Sequence, residues 1–477
     1  MKPTKRSGPA VAVIGLALVA VAPFATVAHS TAGEPLPIIP GAHRGFGMDT
    51  PAGSGRHLRV PQTRVIKVTN LNTEGPGSLR EALEAEGPRV VVFEVSGNID
   101  FRPLGQLSIN HPYLTVAGQT APSPGVTLMG CQLHVRADDV LIRHLRIRVG
   151  DLRDPTRPAV DPKSGWSQWS ERDNMKVGGD RVVIDHCSFS WATDENVQSR
   201  GSELTFRHCI FSECLASPKH HKGAHSKGLL VLKQGEGEGQ NVVVVGNLFA
   251  HNADRNPTAG PGVKIAIINN MVYGATGRPG IAMTLSNAPR RGNTHGGGAR
   301  ASVIGVHADN TPCMIRFIAR KDEEVGRVFF DDLLYSFTGE EGHYVEEHLD
   351  DPWSAPHMKI FTEWVGHKVY PLRSKVDKPP VVVPGLTIRP VGEVRDWVLA
   401  NAGARPADRD PVDARIVREV RTRTGSIPAS QQHVGSWPEL PENRRKLTVP
   451  ENPHGDDDRD GYTNLEAWLH RFAAQVE

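Results

Sequence analysis

The sequence predicts an all-β protein built as a parallel β-helix, with an N-terminal capping helix and a C-terminal extension. Three observations carry this expectation. An eight-residue block within GDRVVIDHCSFSW (179–191) returns as Leu204–Phe211, Val242–Phe249 and Ile265–Val272, with a weaker copy at Val140–Ile147. The starts of the four stronger copies lie 22, 38 and 23 residues apart, one coil each, the long one carrying an inserted loop. Glycine and proline number 48 and 37, as many short strands joined by turns require. The sixth position of the blocks is Leu145, Cys187, Cys209, Asn247 and Asn270. Stacked coils put such positions about 4.8 Å apart, so Asn247 over Asn270 can hydrogen-bond up the stack.

In chain order, residues 1–32 read as a signal peptide. Lys2, Lys5 and Arg6 precede an apolar run, Ala10–Ala22, that is short for a membrane span and ends at Pro23. Cleavage is expected between Thr26 and Ala32, giving a secreted or periplasmic protein with no membrane association after removal. The β-helix is expected over 33–345. RVIKVTNLN (64–72) reads as its entry strand, and Ser78 as the N-cap of a short helix ending near Gly87 that covers the open end. The regular stack is expected to run to about Tyr273, followed by a Gly/Arg-rich loop (RRGNTHGGGARA) and strand-like segments. A Pro-rich extension, 346–450, is expected to pack outside the helix. The tail, 451–477, is acidic and then helical.

The formal net charge is +2 for the chain and becomes −1 without the three basic leader residues. A generally basic, nucleic-acid-binding surface is therefore excluded, and attraction for an anionic substrate must be local. The five cysteines include Cys187 and Cys209 at one coil position. They are either a disulfide or stacked thiols, and thiols are favoured because stacked strands do not aim side chains at each other along the ladder.

Counting back from the blocks places Asp173, Asp194, Lys222 and Arg255 on one sheet of successive coils. Asp173 and Asp194 are then expected about 5 Å apart, and Asp173 and Arg255 about 15 Å apart. Two carboxylates so close need a bridging cation, and Ca²⁺ suits an open oxygen site. Solvated surface charges are the plain alternative. His220, His221 and His225 read as a polar turn, since no acidic partner lies at a fitting spacing. In the tail, Asp456, Asp458 and Asp460 before Gly461, with Glu466, resemble a second calcium site, although the twelfth position is Ala467.

Several runs resemble bacterial pectate lyases of polysaccharide lyase family 1: VTNLNTEGPGSLREAL (68–83), RVVVFEVSG (89–97), LTVAGQTAP (114–122), VVIDHCSFSWATDE (182–195), HHKGAHSKG (220–228) and NLFAHNADRNP (247–257). They span roughly 41–275, and RDPVDARIVREVRTRTG (409–425) resembles a C-terminal segment of one bacterial subgroup. The resemblance implies a right-handed parallel β-helix that cleaves polygalacturonate by Ca²⁺-dependent β-elimination. It implies Asp173 and Asp194 as calcium ligands, Lys222 as substrate-binding and catalytic, and Arg255 as the base that also meets substrate. Two departures stand out. Gly260 occupies the place of a second arginine, and Ser190 that of a further carboxylate ligand, for which Glu195 is the expected substitute. The expected partner is an acidic polysaccharide, met by a monomer. A non-catalytic β-helix that binds such a polymer is the alternative reading. A hydrolase or esterase is disfavoured, because no carboxylate pair for acid and base chemistry flanks Arg255.

Overall fold

The computed structural model describes residues 36–151, 172–216, 223–233, 240–277, 280–286, 298–318, 326–338, 343–354, 358–361 and 374–477. The leader, Lys222, His220, His221 and most of the Gly/Arg-rich loop lie outside the described residues.

The chain winds as a right-handed parallel β-helix of three sheets. Each coil contributes one strand to each sheet in turn, so sequence neighbours fall on different sheets and hydrogen-bonded neighbours are one coil apart. The repeat blocks stack in the register their spacing predicts. Val140 pairs with Val182, Val182 with Leu204, Leu204 with Val242 and Val242 with Ile265. The stack does not end near Tyr273. It continues through Ala299–Ile304 and Gly326–Asp331 in the first sheet and through Cys313–Ile318 in the second. The left-handed corner persists there, at Gly305 (φ 63°) and Asp332 (52°), but the sixth residue becomes Val306 and Leu333 in place of cysteine or asparagine. Among the described strand pairs, Leu333–Thr338 with Tyr344–Leu349 is antiparallel and the others are parallel.

The blocks look alike because each turns a corner. The fifth residue adopts the left-handed conformation in every coil: His144 (φ 57°), His186 (47°), His208 (50°), Gly246 (68°) and Asn269 (50°). Glycine is required at 246, where a Cβ would meet His208 and Trp397 at 3.0 and 2.9 Å. The sixth residue then points inward. Asn247 Oδ1 accepts from Cys209 N (2.8 Å), its Nδ2 donates to Phe206 O (3.0 Å), and Asn270 Oδ1 accepts from Asn247 N (2.9 Å). Cys187 and Cys209 are buried free thiols, as favoured from the sequence. Stacking continues in the core, where Phe189, Phe211 and Phe249 lie 5.3 and 4.8 Å apart. Such like-on-like rows keep the coils in register and the interior dry.

Helix α1, Leu79–Glu84, starts at Ser78, whose side chain accepts from Glu81 N. Its Leu79, Ala82 and Leu83 join the apolar core at the N-terminal end. Helices α2 (Val391–Asn401) and α3 (Pro411–Thr422) lie against the third sheet, burying Val394, Val398, Ile416 and Val420 over Ile210, Leu248 and Met271. Fully buried Arg148 fastens α3, donating to Asp410 at 2.5 and 3.0 Å and to Asp413 at 3.0 Å. Helix α4, Asn464–Ala473, covers Val90, Val92 and Ala117 of the first sheet with Leu465 and Leu469. Among the described residues, no helix is long and apolar enough to cross a membrane.

Candidate active site

The site forms where the chain turns from the third sheet into the second. Parallel strands Met175–Val177, Glu195–Ser199 and Lys227–Val231 lie side by side, with Val197 between Met175 and Leu229 in register. That register sets Glu195, not Asp194, on the coil beside Asp173. Glu195 N donates to Asp173 Oδ1 at 3.0 Å. Glu195 pairs onward with Lys227, and Lys227 bridges to Asp254. A column of Asp173, Glu195, Lys227 and Asp254 results, with Asp194 and Arg255 each one residue aside.

Behind Asp173, Glu195 and Arg255 stand the buried asparagines Asn174, Asn196 and Asn256. Asn174 donates to Asn196 (2.8 Å), Asn196 to Asn252 (3.0 Å) and Asn252 to Asn256 (3.1 Å). The alternation of strand faces produces this: Asp173, Glu195 and Arg255 share one face of the coil, and the residues that follow them turn in. The ladder fixes the height of every coil, and so the spacing of the charges outside it. Gly228 lets the next coil approach closely, since a Cβ there would meet Arg255 O at 2.6 Å.

Arg255 has φ 64° and reaches back across the Lys227 coil to form an ion pair with Glu195 Oε1. Two coil spacings separate their backbones, so the long side chain brings together what the backbone holds apart. Glu195 Oε2 and Asp173 Oδ2 are buried with no hydrogen-bond partner. Burial pushes the Asp173 carboxyl up to about 8, opposed by Lys176 at 3.4 Å and reinforced by the nearby Asp194 charge. Such a group gains from a further cation. Asp254 is already neutralised, by Arg316 Nη2 at 2.7 Å and Lys227 Nζ at 3.4 Å.

Three of these residues escaped the sequence reading. Lys227 is shown by its register with Glu195, a relation visible only once the coils are aligned. Arg316 arrives from a coil beyond the recognised repeats. His225 lies buried with Nε2 2.6 Å from Asp194 Oδ1, so its assignment to a plain polar turn is corrected. Its acidic partner sits a coil earlier, too far back for a linear spacing rule. Ser190 faces away from the groove, sharing a hydrogen bond with Ser212 at 2.9 Å in the third sheet. In the tail, oxygens of Asp456, Asp458 and Asp460 lie within 4.8 Å of one another. Glu466 is not with them. It closes the capping box of α4 with Thr463 and faces Arg56 at 3.4 Å.

No family model matches the chain. A probable pectate lyase C of Neosartorya fischeri is 28% identical over 463 residues, covering 92% of this chain and 95% of the relative. A protein of the same name from Aspergillus fumigatus is 28% identical over 466 residues, with the same coverage. That of Emericella nidulans is 32% identical over 273 residues, 57% of this chain and 56% of its own. These relatives are fungal, so the bacterial grouping expected from the motifs is not supported. Among solved structures, a pectate lyase bound to hexasaccharide aligns at 14% identity and TM-score 0.48, covering 80% of this chain and 99% of that one. The major allergen from cedar pollen aligns at 14% identity and TM-score 0.41, covering 76% and 92%. Along nine tenths of its length, the chain is similar to proteins named as probable pectate lyases.

Proposed function

We propose that the protein is a pectate lyase that cleaves a polygalacturonate-type acidic polysaccharide by Ca²⁺-dependent β-elimination. The observation that carries this reading is the groove column. Carboxylates of Asp173, Asp194 and Glu195 lie at one end, and Lys227, Arg255 and Arg316 follow on the next coils. Carboxylates and cations thus succeed one another along the coil axis, the direction in which a polyuronate chain can lie.

Asp173, Asp194 and Glu195 are the oxygen donors for the ion, and two of them carry a buried oxygen without a hydrogen bond. When bound, Ca²⁺ supplies positive charge against the uronate carboxylate as C5 becomes electron-rich. Lys222, from the sequence, holds substrate carboxylates. Arg255 takes the C5 proton. The C4–O bond breaks, a C4=C5 double bond forms, and the departing oxygen gains a proton from water. A guanidinium is a base only when neutral, so the Glu195 contact must open and alkaline solution favours turnover. The enzyme so read is a secreted or periplasmic monomer. Residues 33–345 form its β-helix, 346–450 an extension laid on it, and 451–477 a calcium-loop-like tail.

The test is the ultraviolet absorbance of the unsaturated uronate product, followed on polygalacturonate with Ca²⁺ and with excess chelator. Product with Ca²⁺ and none with chelator supports the reading. Saccharide binding without any absorbance change supports the non-catalytic alternative, which the glycine at 260 favours.

A further inference from the structure

We propose that Asp194, Glu195 and His225 form a mixed oxygen and nitrogen site that binds a first-row transition ion such as Mn²⁺ or Co²⁺ more tightly than Ca²⁺. This rests on the metal-assisted reading of the groove and concerns which ion it takes. The three residues each offer one ligand atom, all within 4.8 Å of one another. That is about the diameter of a coordination sphere with bonds of roughly 2.1–2.4 Å. Glu195 divides its carboxylate. Oε1 meets Arg255, while Oε2 is buried with no hydrogen bond and Glu195 is only 1% exposed. An unsatisfied anionic oxygen at that depth is costly unless a cation comes to it. His225 brings an imidazole nitrogen to Asp194 at 2.6 Å, from the segment just before the strand that carries Lys227.

The donor types decide the ion. Ca²⁺ is hard and takes about six to eight oxygens, with no use for imidazole. Here one donor is nitrogen. An imidazole among the donors favours borderline ions, for which affinity rises from Mn²⁺ toward Cu²⁺.

The metal-stripped full-length protein is titrated calorimetrically with Mn²⁺, Co²⁺ and Ca²⁺, and the visible spectrum of the Co²⁺ form is recorded. The same is done for His225→Gln, with melting curves to show that the variant is folded. The expectation is Co²⁺ and Mn²⁺ affinity at least about 10-fold above that for Ca²⁺ in the native protein. His225→Gln should lose about 10-fold or more for Co²⁺, shift the Co²⁺ spectrum, and change Ca²⁺ affinity little. Tighter binding of Ca²⁺ than of Co²⁺, or a variant with unchanged Co²⁺ affinity and spectrum, overturns the proposal. If His225→Gln is not folded, His225→Asn is used with the same criteria. The readout is independent of turnover. Elimination supported by Ca²⁺ alone, with no nitrogen-dependent Co²⁺ binding, refutes this inference and leaves the lyase reading intact. His225-dependent Co²⁺ binding without elimination under any ion does the reverse.

Discussion

Arg255→Lys separates the two roles available to Arg255. The arginine spans two coil spacings, about 10 Å of backbone separation, to pair with Glu195. Glu195 is buried, so removing the positive partner altogether would leave an uncompensated charge and cost roughly 3–5 kcal/mol. Lysine keeps that charge, so the fold and the ion pair should survive with a loss of about 1 kcal/mol or less. Lysine lacks the planar fork that places a nitrogen at the substrate while the side chain crosses the Lys227 coil. General-base catalysis contributes about 10²–10⁴-fold, or roughly 3–5 kcal/mol of barrier. The variant should therefore lose that factor in kcat with KM nearly unchanged. The assay is product absorbance on polygalacturonate at saturating divalent ion across alkaline pH, with melting curves for both proteins. A raised KM with kcat nearly intact would refute the base role and leave Arg255 as a carboxylate-binding residue.

Further outcomes follow from the clamp, the ladder and the buried histidines. Asp413→Ala leaves Arg148 and Ser188 with one partner fewer inside a fully buried network, and should cost about 3–5 kcal/mol in denaturant unfolding. An unchanged midpoint would show that α3 is not fastened there. Asn247→Leu strands Cys209 N and Phe206 O in the core and should cost about 2–4 kcal/mol by the same measurement. His144 is fully buried, and burial lowers its pKa to about 4, so it is neutral in the fold. The unfolded chain binds a proton near 6.5, so stability is full above that pH and falls as pH drops from 6.5 toward about 4, by at most roughly 3 kcal/mol. His144→Asn, which tolerates the left-handed corner and can still donate to Ala404 O, should flatten that slope in melting curves against pH. Truncation after residue 450 removes α4 from Val90 and Val92, and should lower thermal stability while leaving some turnover. A folded truncation with no turnover would contradict a purely structural tail.

The sequence by itself determined the coil. The left-handed corner and the inward sixth residue are local demands, and a local demand repeated each coil leaves a period that can be counted. Hence Val182, Leu204, Val242 and Ile265 stack in the register their spacing predicts, and Cys187 and Cys209 lie as separate thiols. The same logic placed Asp173, Asp194 and Arg255 near one groove. Only the tertiary structure decided how they meet. Asp173 and Glu195 both lie nine residues before their blocks, at Val182 and Leu204, so strand register seats Glu195 rather than Asp194 beside Asp173. His225, Lys227 and Arg316 join the site from neighbouring coils through side-chain reach and strand register. The clamp of α3 was hidden for a related reason. Its contacts rest on burial and paired charge between segments hundreds of residues apart, such as Arg148 with Asp413, and that distance leaves no period in the sequence.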